Sequence, residues 1–196
     1  MVMLPIIKFK IMLTNINTQK EQISTEKRVM VYPLLFDTEN GSQETIESII
    51  QDIRTKSSRG SVNNKKELPV AFFSVVGFNG SKTAKNVTEH SGLVIIDIDV
   101  KDNPETDFEM LYNNLQWNTF TYACFRSPSN GIKLIFNTDC TDVNHHQAYF
   151  QAITEYLLKH YTEIQAIDTS GSNVNRACYL PFNPNAYYNQ YADIFR

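Results

Sequence analysis

Leu93-Val-Ile-Ile-Asp97-Ile-Asp99 decides how this chain is read. Four apolar residues run straight into an acid, a fifth follows, and then comes a second acid. Length and composition are those of a strand buried on its way to a polar end. Side chains alternate across a strand, so Asp97 and Asp99 share one face while Ile98 takes the other. Two carboxylates so close repel each other and raise each other's pKa, an arrangement tolerated chiefly around a cation. Ligands made only of oxygen select hard ions, which makes Mg²⁺ or Mn²⁺ the expected guest. The plainer alternative is a strand ending in two solvated acids, in keeping with Asp102, Glu105 and Asp107 nearby. The buried-type strand leading into the pair favours the metal site. On this reading, Asp97→Asn or Asp99→Asn abolishes cation binding and leaves or raises stability, because repulsion is relieved.

Downstream the pattern is regular. The spacing of Phe108, Leu111, Tyr112 and Leu115 predicts a helix over 107–115, and Thr119–Phe125 predicts a strand. Ser127-Pro-Ser-Asn-Gly131 is a turn, Ile132–Phe136 a strand, and 144–161 a long helix with Ala148, Phe150, Ile153, Leu157 and Leu158 among its apolar positions. Ala177–Leu180 is a last short strand. The order β-α-β-β-α-β is the split βαβ or ferredoxin-like pattern shared with RNA-recognition modules. The expected fold class is therefore α+β, two-layered, with an RRM-like half over 91–196 and an N-terminal α/β extension over 1–90.

The extension is less regular. Residues 1–13 and 28–33 read as strands. Ser42 to Ile53 reads as a capped helix with Ile46, Ile49, Ile50 and Ile53 in one stripe. Arg54, Lys56, Arg59, Lys65 and Lys66 punctuate an expected exposed basic loop, a candidate nucleic-acid contact. Leu68–Val76 is a buried strand, and Gly77 to His90 a polar connection.

Asp168 follows Ile167, opens the polar stretch Asp168–Arg176 and is the candidate third acid, against its reading as a turn or capping residue. The 127–131 turn offers backbone N–H groups and the hydroxyls of Ser127 and Ser129 to phosphate oxygens. Lys133 and Arg176 add positive charge that can meet a phosphate or hold the acids in place. His145 and His146 project about 100° apart on a helix, make a poor metal pair and read as exposed.

Composition excludes several classes. The 196 residues are 42% apolar and 20% charged, with a net charge of −3, so no overall basic balance advertises nucleic acid. Any such contact must use a local patch or a metal. The three cysteines, Cys124, Cys140 and Cys178, are widely spaced and odd in number, against a disulfide framework or zinc ribbon and in favour of buried hydrophobes in a reducing cytoplasm. No apolar run approaches the ~20 residues of a membrane span. Lys8 and Lys10 interrupt the apolar start, which does not read as a signal peptide.

These elements together resemble the archaeo-eukaryotic primase superfamily, and most closely the VirE N-terminal-like, primase-polymerase-type domains of bacterial mobile elements. The resemblance rests on Ile96-Asp-Ile-Asp-Val100, on Ser127-Pro-Ser-Asn-Gly-Ile-Lys133, on Ile167-Asp168 and on Asn175-Arg-Ala-Cys-Tyr-Leu-Pro-Phe182, and spans about residues 65–190. It implies a nucleotidyltransferase whose Asp97, Asp99 and Asp168 hold one or two divalent ions, with Lys133 on the incoming triphosphate. Its implied partners are single-stranded or primed DNA, nucleoside triphosphates and a helicase domain or protein. Many active members have His where this chain has Lys133, which puts polymerase activity, but not the fold, in question. Two alternatives stand beside it. One is an inactive primase-like module that binds single strands, with Phe72, Phe73, Phe78, Tyr122, Phe125, Tyr187 and Tyr188 available for stacking. The other is a haloacid-dehalogenase-type phosphatase, whose acidic motif Asp97-Ile-Asp99-Val100 also resembles, with Asp97 as nucleophile and Asp99 as acid.

Overall fold

Strand β5, Leu93–Ile98, is the axis of the molecule: all six residues are buried. The computed structural model describes residues 12–14, 50, 51, 53, 54, 68, 70–181, 183 and 186–196. Around β5 run β1 (Met12–Thr14), β2 (Val70–Phe72), β3 (Val75–Phe78), β4 (Val87–His90), α1 (Phe108–Gln116), β6 (Thr121–Arg126), β7 (Ile132–Asn137), α2 (His146–His160), β8 (Cys178–Tyr179) and β9 (Tyr187–Tyr188). The fold is α+β. The central sheet has the order β5-β7-β6-β9 and is antiparallel throughout. A second sheet is β1-β2-β8, and β3 and β4 form a third, two-stranded one.

Alternation explains why β5 reads as an uninterrupted apolar run. Val94, Ile96 and Ile98 face α1 and α2, where they meet Leu111, Leu115, Phe150, Ile153 and Leu157. Leu93 and Ile95 face the other way, onto Ala71, Phe73, Cys178 and Leu180. Both faces are covered, and each fully buried Ile or Leu contributes roughly 1.5–3 kcal/mol. The three cysteines are buried and unpaired, as small hydrophobes should be.

Both helices form where the apolar spacing places them. Asp107 caps α1, accepting from the backbone N–H groups of Glu109 and Met110 at 3.0 Å each. The buried stripe of α2 is His146, Phe150, Ile153 and Leu157. Ala148 and Leu158 lie off that stripe and are exposed. His146, expected to be exposed, is part of the stripe and only 1% accessible. Among the described residues no helix is long and apolar enough to cross a membrane.

Three expectations change. The run 68–76 is not one strand: a turn at Phe73 and Ser74 divides β2 from β3, and Ser91 binds both turn carbonyls, Phe73 O through its hydroxyl and Ser74 O through its N–H. The polar connection 77–90 contains strand β4, which pairs with β3. The expected fourth strand of the central sheet, read at Ala177–Leu180, is Cys178–Tyr179 and instead pairs with β2. The fourth place in the central sheet falls to Tyr187–Tyr188, beside β6. The expected strand 28–33 and most of the expected helix 42–53 lie outside the described residues, although Ile50 and Ile53 are buried in helical conformation.

Candidate metal centre

Register puts the first charges together. Asp97 lies directly opposite Lys133 in the β5–β7 ladder. Directly opposed residues project from the same face, here the face that carries Leu93, Ile95 and Ile135. Lys133 Nζ forms an ion pair with Asp97 Oδ2, and the two side chains are only 12% and 9% accessible. Asp99 follows β5 on the same face as Asp97, part-exposed, with Lys101 Nζ 3.7 Å from its Oδ2.

The third acid arrives from 69 residues along the chain and is held by the backbone. The N–H of Asp168 donates to the carbonyl of Asp97 at 2.9 Å. Its carboxylate accepts from the N–H and hydroxyl of Ser170, at 2.9 and 2.7 Å, capping the short 3-10 turn Thr169–Ser172. Arg176 Nη2 lies 3.2 Å from Asp168 Oδ2. Burial pushes the Asp168 pKa up, but the Ser170 hydrogen bonds and the charges of Arg176 and Lys133 outweigh it and hold the group below the ordinary carboxylate value. Asp168 is thus both a cap and a member of the acidic cluster. One carboxylate oxygen from each of Asp97, Asp99 and Asp168 lies within 4.8 Å of the others.

Two glycines set how closely these segments approach. A Cβ on Gly171 would lie 2.5 Å from Phe150 Cε2 and 2.9 Å from the Ile95 carbonyl, so the turn behind Asp168 packs directly on α2 and β5. A Cβ on Gly131 would lie 2.7 Å from the Ile98 carbonyl and 3.4 Å from Asp99 Cα. The 127–131 turn therefore rests against the acid-bearing end of β5.

The backbone N–H groups of that turn are engaged within it. Ser127 is buried, and its hydroxyl accepts from the N–H of Gly131 at 2.9 Å and of Ser129 at 3.3 Å. The N–H of Asn130 donates to the Ser127 carbonyl. Three N–H groups expected to face an anion are satisfied inside the turn; the part-exposed Ser129 side chain is on its outside. Of the expected basic loop, Arg54 is helical and half-buried rather than on an exposed loop. Lys56, Arg59, Lys65 and Lys66 lie outside the described residues.

The donor set fits a hard divalent cation. The three carboxylates are the donors, with Lys133 on Asp97, Arg176 on Asp168 and the exposed Lys101 shared between Asp99 and Asp102. Asp97 Oδ1 is buried and has no hydrogen-bond partner. A buried carboxylate oxygen left unsatisfied is costly, and a metal ligand role would satisfy it.

Sequence reasoning missed Asn103, His90 and His146. Asn103 is fully buried beneath the acidic segment. The Gly92 N–H donates to His90 Nδ1 at 3.0 Å, His90 Nε2 lies 3.0 Å from His146 Nδ1, and His146 Nε2 lies 2.9 Å from the Gly171 carbonyl. With Nδ1 of His90 accepting, the neutral tautomers that satisfy the chain carry their protons on both Nε2 atoms. This relay ties the β4–β5 connection through α2 to the turn that carries Asp168. Nothing in the polar surroundings of these three residues in sequence marks them as buried.

A family model described as "BT4734-like, N-terminal domain" matches residues 63–188, which include every acid and cation of the site. No curated protein and no solved structure matches.

Proposed function

The chain belongs to the BT4734-like N-terminal domain family, and from that premise we propose that it is a divergent primase-polymerase-type nucleotidyltransferase domain. The observation that carries this reading is the meeting of Asp97, Asp99 and Asp168 around a buried, unpartnered carboxylate oxygen. The succession β5-α1-β6-β7-α2 supports an RRM-like reading of this half, with the acids at the end of β5 and beside it. Asp97, Asp99 and Asp168 would hold one or two Mg²⁺ or Mn²⁺ ions. Ions bound there supply charge neutralisation for phosphoryl transfer between a nucleoside triphosphate and a primer hydroxyl. Lys133 and Arg176, poised on two of the acids, are the groups to receive the triphosphate. Single-stranded or primed DNA is the expected template, and a helicase domain or protein the expected companion in replication of a mobile element.

The inactive, nucleic-acid-binding alternative has one observation in its favour. Lys133 is already seated on the central carboxylate, where active relatives of the resembled family are expected to carry His. The phosphatase alternative fares worse. That fold needs a parallel sheet, whereas β5, β7 and β6 are antiparallel.

Incorporation of labelled nucleotide on a primed single-stranded template with Mn²⁺ is the test. Wild-type protein is expected to extend the primer, and Asp99→Asn to fail while remaining folded. No incorporation by wild type, with single-strand binding intact in Asp97→Ala, would instead establish the inactive module.

A further inference from the structure

Asn103 uses its whole amide to join the two segments that bear the acids. Its Nδ2 donates to the carbonyl of Asp99 and to that of Ala166, each at 2.9 Å. Its Oδ1 accepts from the N–H of Gln165 at 2.7 Å and of Ala166 at 2.9 Å. A carboxamide has two donor hydrogens and two acceptor lone pairs, and here all four are engaged. The side chain is 0% accessible, so no bond is lent to solvent. One of its partners is the backbone of a candidate ligand, and another lies two residues before Asp168.

The surrounding bonds continue the same seam. Asn103 closes the 3-10 turn Val100–Asp102 through its N–H on the Val100 carbonyl at 3.1 Å. The Thr106 hydroxyl donates to the Glu163 carbonyl at 2.6 Å. The Asp168 N–H donates to the Asp97 carbonyl at 2.9 Å. The segment 163–168 is thus sewn to 97–106, and Asn103 supplies three of the stitches, its fourth bond fixing the Asp99 carbonyl within 97–106.

We propose that Asn103 is the positioning residue of the acidic site: it sets the separation of Asp99 from Asp168 and thereby the site's affinity for a divalent cation. This rests on the metal reading of the three acids. No other side chain serves equally. Asp has nearly the same shape but no donors, and would set a carboxylate against the carbonyls of Asp99 and Ala166. Gln is one methylene too long for a fully enclosed site, and Ser keeps at most part of the bonding.

The test compares wild type with Asn103→Asp and the milder Asn103→Ser, which guards against a failure to fold. Thr121→Val is the control: Thr121 is equally buried, and its hydroxyl donates to the Leu115 carbonyl at 2.8 Å, at the opposite end of the sheet. Two readouts are taken, Mn²⁺ affinity by electron paramagnetic resonance and hydrogen exchange of the Asp168 amide by NMR, with the Ile153 amide as internal reference. Both Asn103 variants are expected to weaken Mn²⁺ binding about tenfold or more, in the range seen when groups supporting a metal ligand are removed. Their Asp168 amide is expected to exchange about tenfold faster, with Ile153 unchanged. Thr121→Val should move neither readout. Unchanged Asp168 protection, or unchanged Mn²⁺ affinity where wild type binds the ion, overturns the proposal. Absence of Mn²⁺ binding by wild type instead removes the metal reading, and the exchange comparison alone then decides whether Asn103 positions Asp168.

Discussion

Asp97→Asn and Lys133→Met should each lower stability by about 3 kcal/mol, and the double variant should lose much less than the sum. Either single change removes one charge of a buried pair, which typically costs 3–5 kcal/mol, whereas removing both charges is far less damaging. The two side chains are 9% and 12% accessible, so water cannot substitute for the missing partner. Asp168 also draws on the Lys133 charge, which softens the loss in Asp97→Asn. The expectation from sequence had the opposite sign, because it counted only the repulsion between Asp97 and Asp99. Pairing with Lys133 removes that repulsion as the controlling effect at Asp97. At the part-exposed Asp99, Asn is still expected to be neutral or stabilising. Denaturant unfolding of the four proteins without divalent ions measures the coupling. Additive losses would show that the ion pair is not the unit holding β5 to β7 at this position. Lys133→Met should also gain more thermal stability from Mn²⁺ than wild type does, since it leaves a second oxygen of Asp97 uncompensated.

Acidification from pH 7.5 to 5 should cost about 2 kcal/mol through His90, with His146 adding in the same direction. Burial first, and then the neighbouring His146, pushes the His90 pKa from 6.5 down to about 4 in the folded protein; Asp142 pulls weakly the other way. Burial lowers His146 also, against the pull of its bond to Gly171. A histidine whose folded pKa is depressed binds protons first in the unfolded chain. Its contribution is therefore complete above about pH 6.5 and is lost as pH falls toward 4, at ~1.4 kcal/mol per pH unit for one proton. Protonation also breaks the relay chemically, because two imidazolium rings cannot exchange a hydrogen bond. The turn Thr169–Ser172, which hangs on the Gly171 carbonyl, should loosen with it. Unfolding free energy should be nearly flat above about pH 6.5 and should fall below it at a slope approaching one proton near pH 5 in wild type, and less in His90→Gln. Equal slopes would remove the relay from the account of acid sensitivity.

The sequence made some of this architecture readable, for identifiable reasons. β5 and its acidic pair were readable because a strand buried on both faces has to be apolar at every position until the acids begin. The stripes of α1 and α2 placed those helices within one or two residues. β4 was hidden because Val87-Thr-Glu-His90 is short and exposed on two of its four positions, so it has no apolar face to show. The departure of Cys178–Tyr179 to the sheet of β1 and β2 was hidden because two residues carry no register signal. Asp168 was found through its apolar neighbour and the polar run after it. Its partners Ser170 and Arg176 explain why one residue serves both as cap and as acid. Lys133 was identified as a cation near the site, but its pairing with Asp97 depends on the cross-strand register, which no local pattern encodes. Asn103 and His146 were missed for a common reason: each is polar, each is buried, and each is fully bonded to backbone or to another ring.

Titration of wild-type protein and Asp168→Asn with Mn²⁺, followed by electron paramagnetic resonance, most directly tests whether three carboxylates brought from distant parts of the chain form one cation site. Wild type should take up the ion, and the variant, folded and with Asp97 and Asp99 intact, should lose that binding. Equal binding by the two proteins would contradict the account, since the third acid would then have no part in holding the ion.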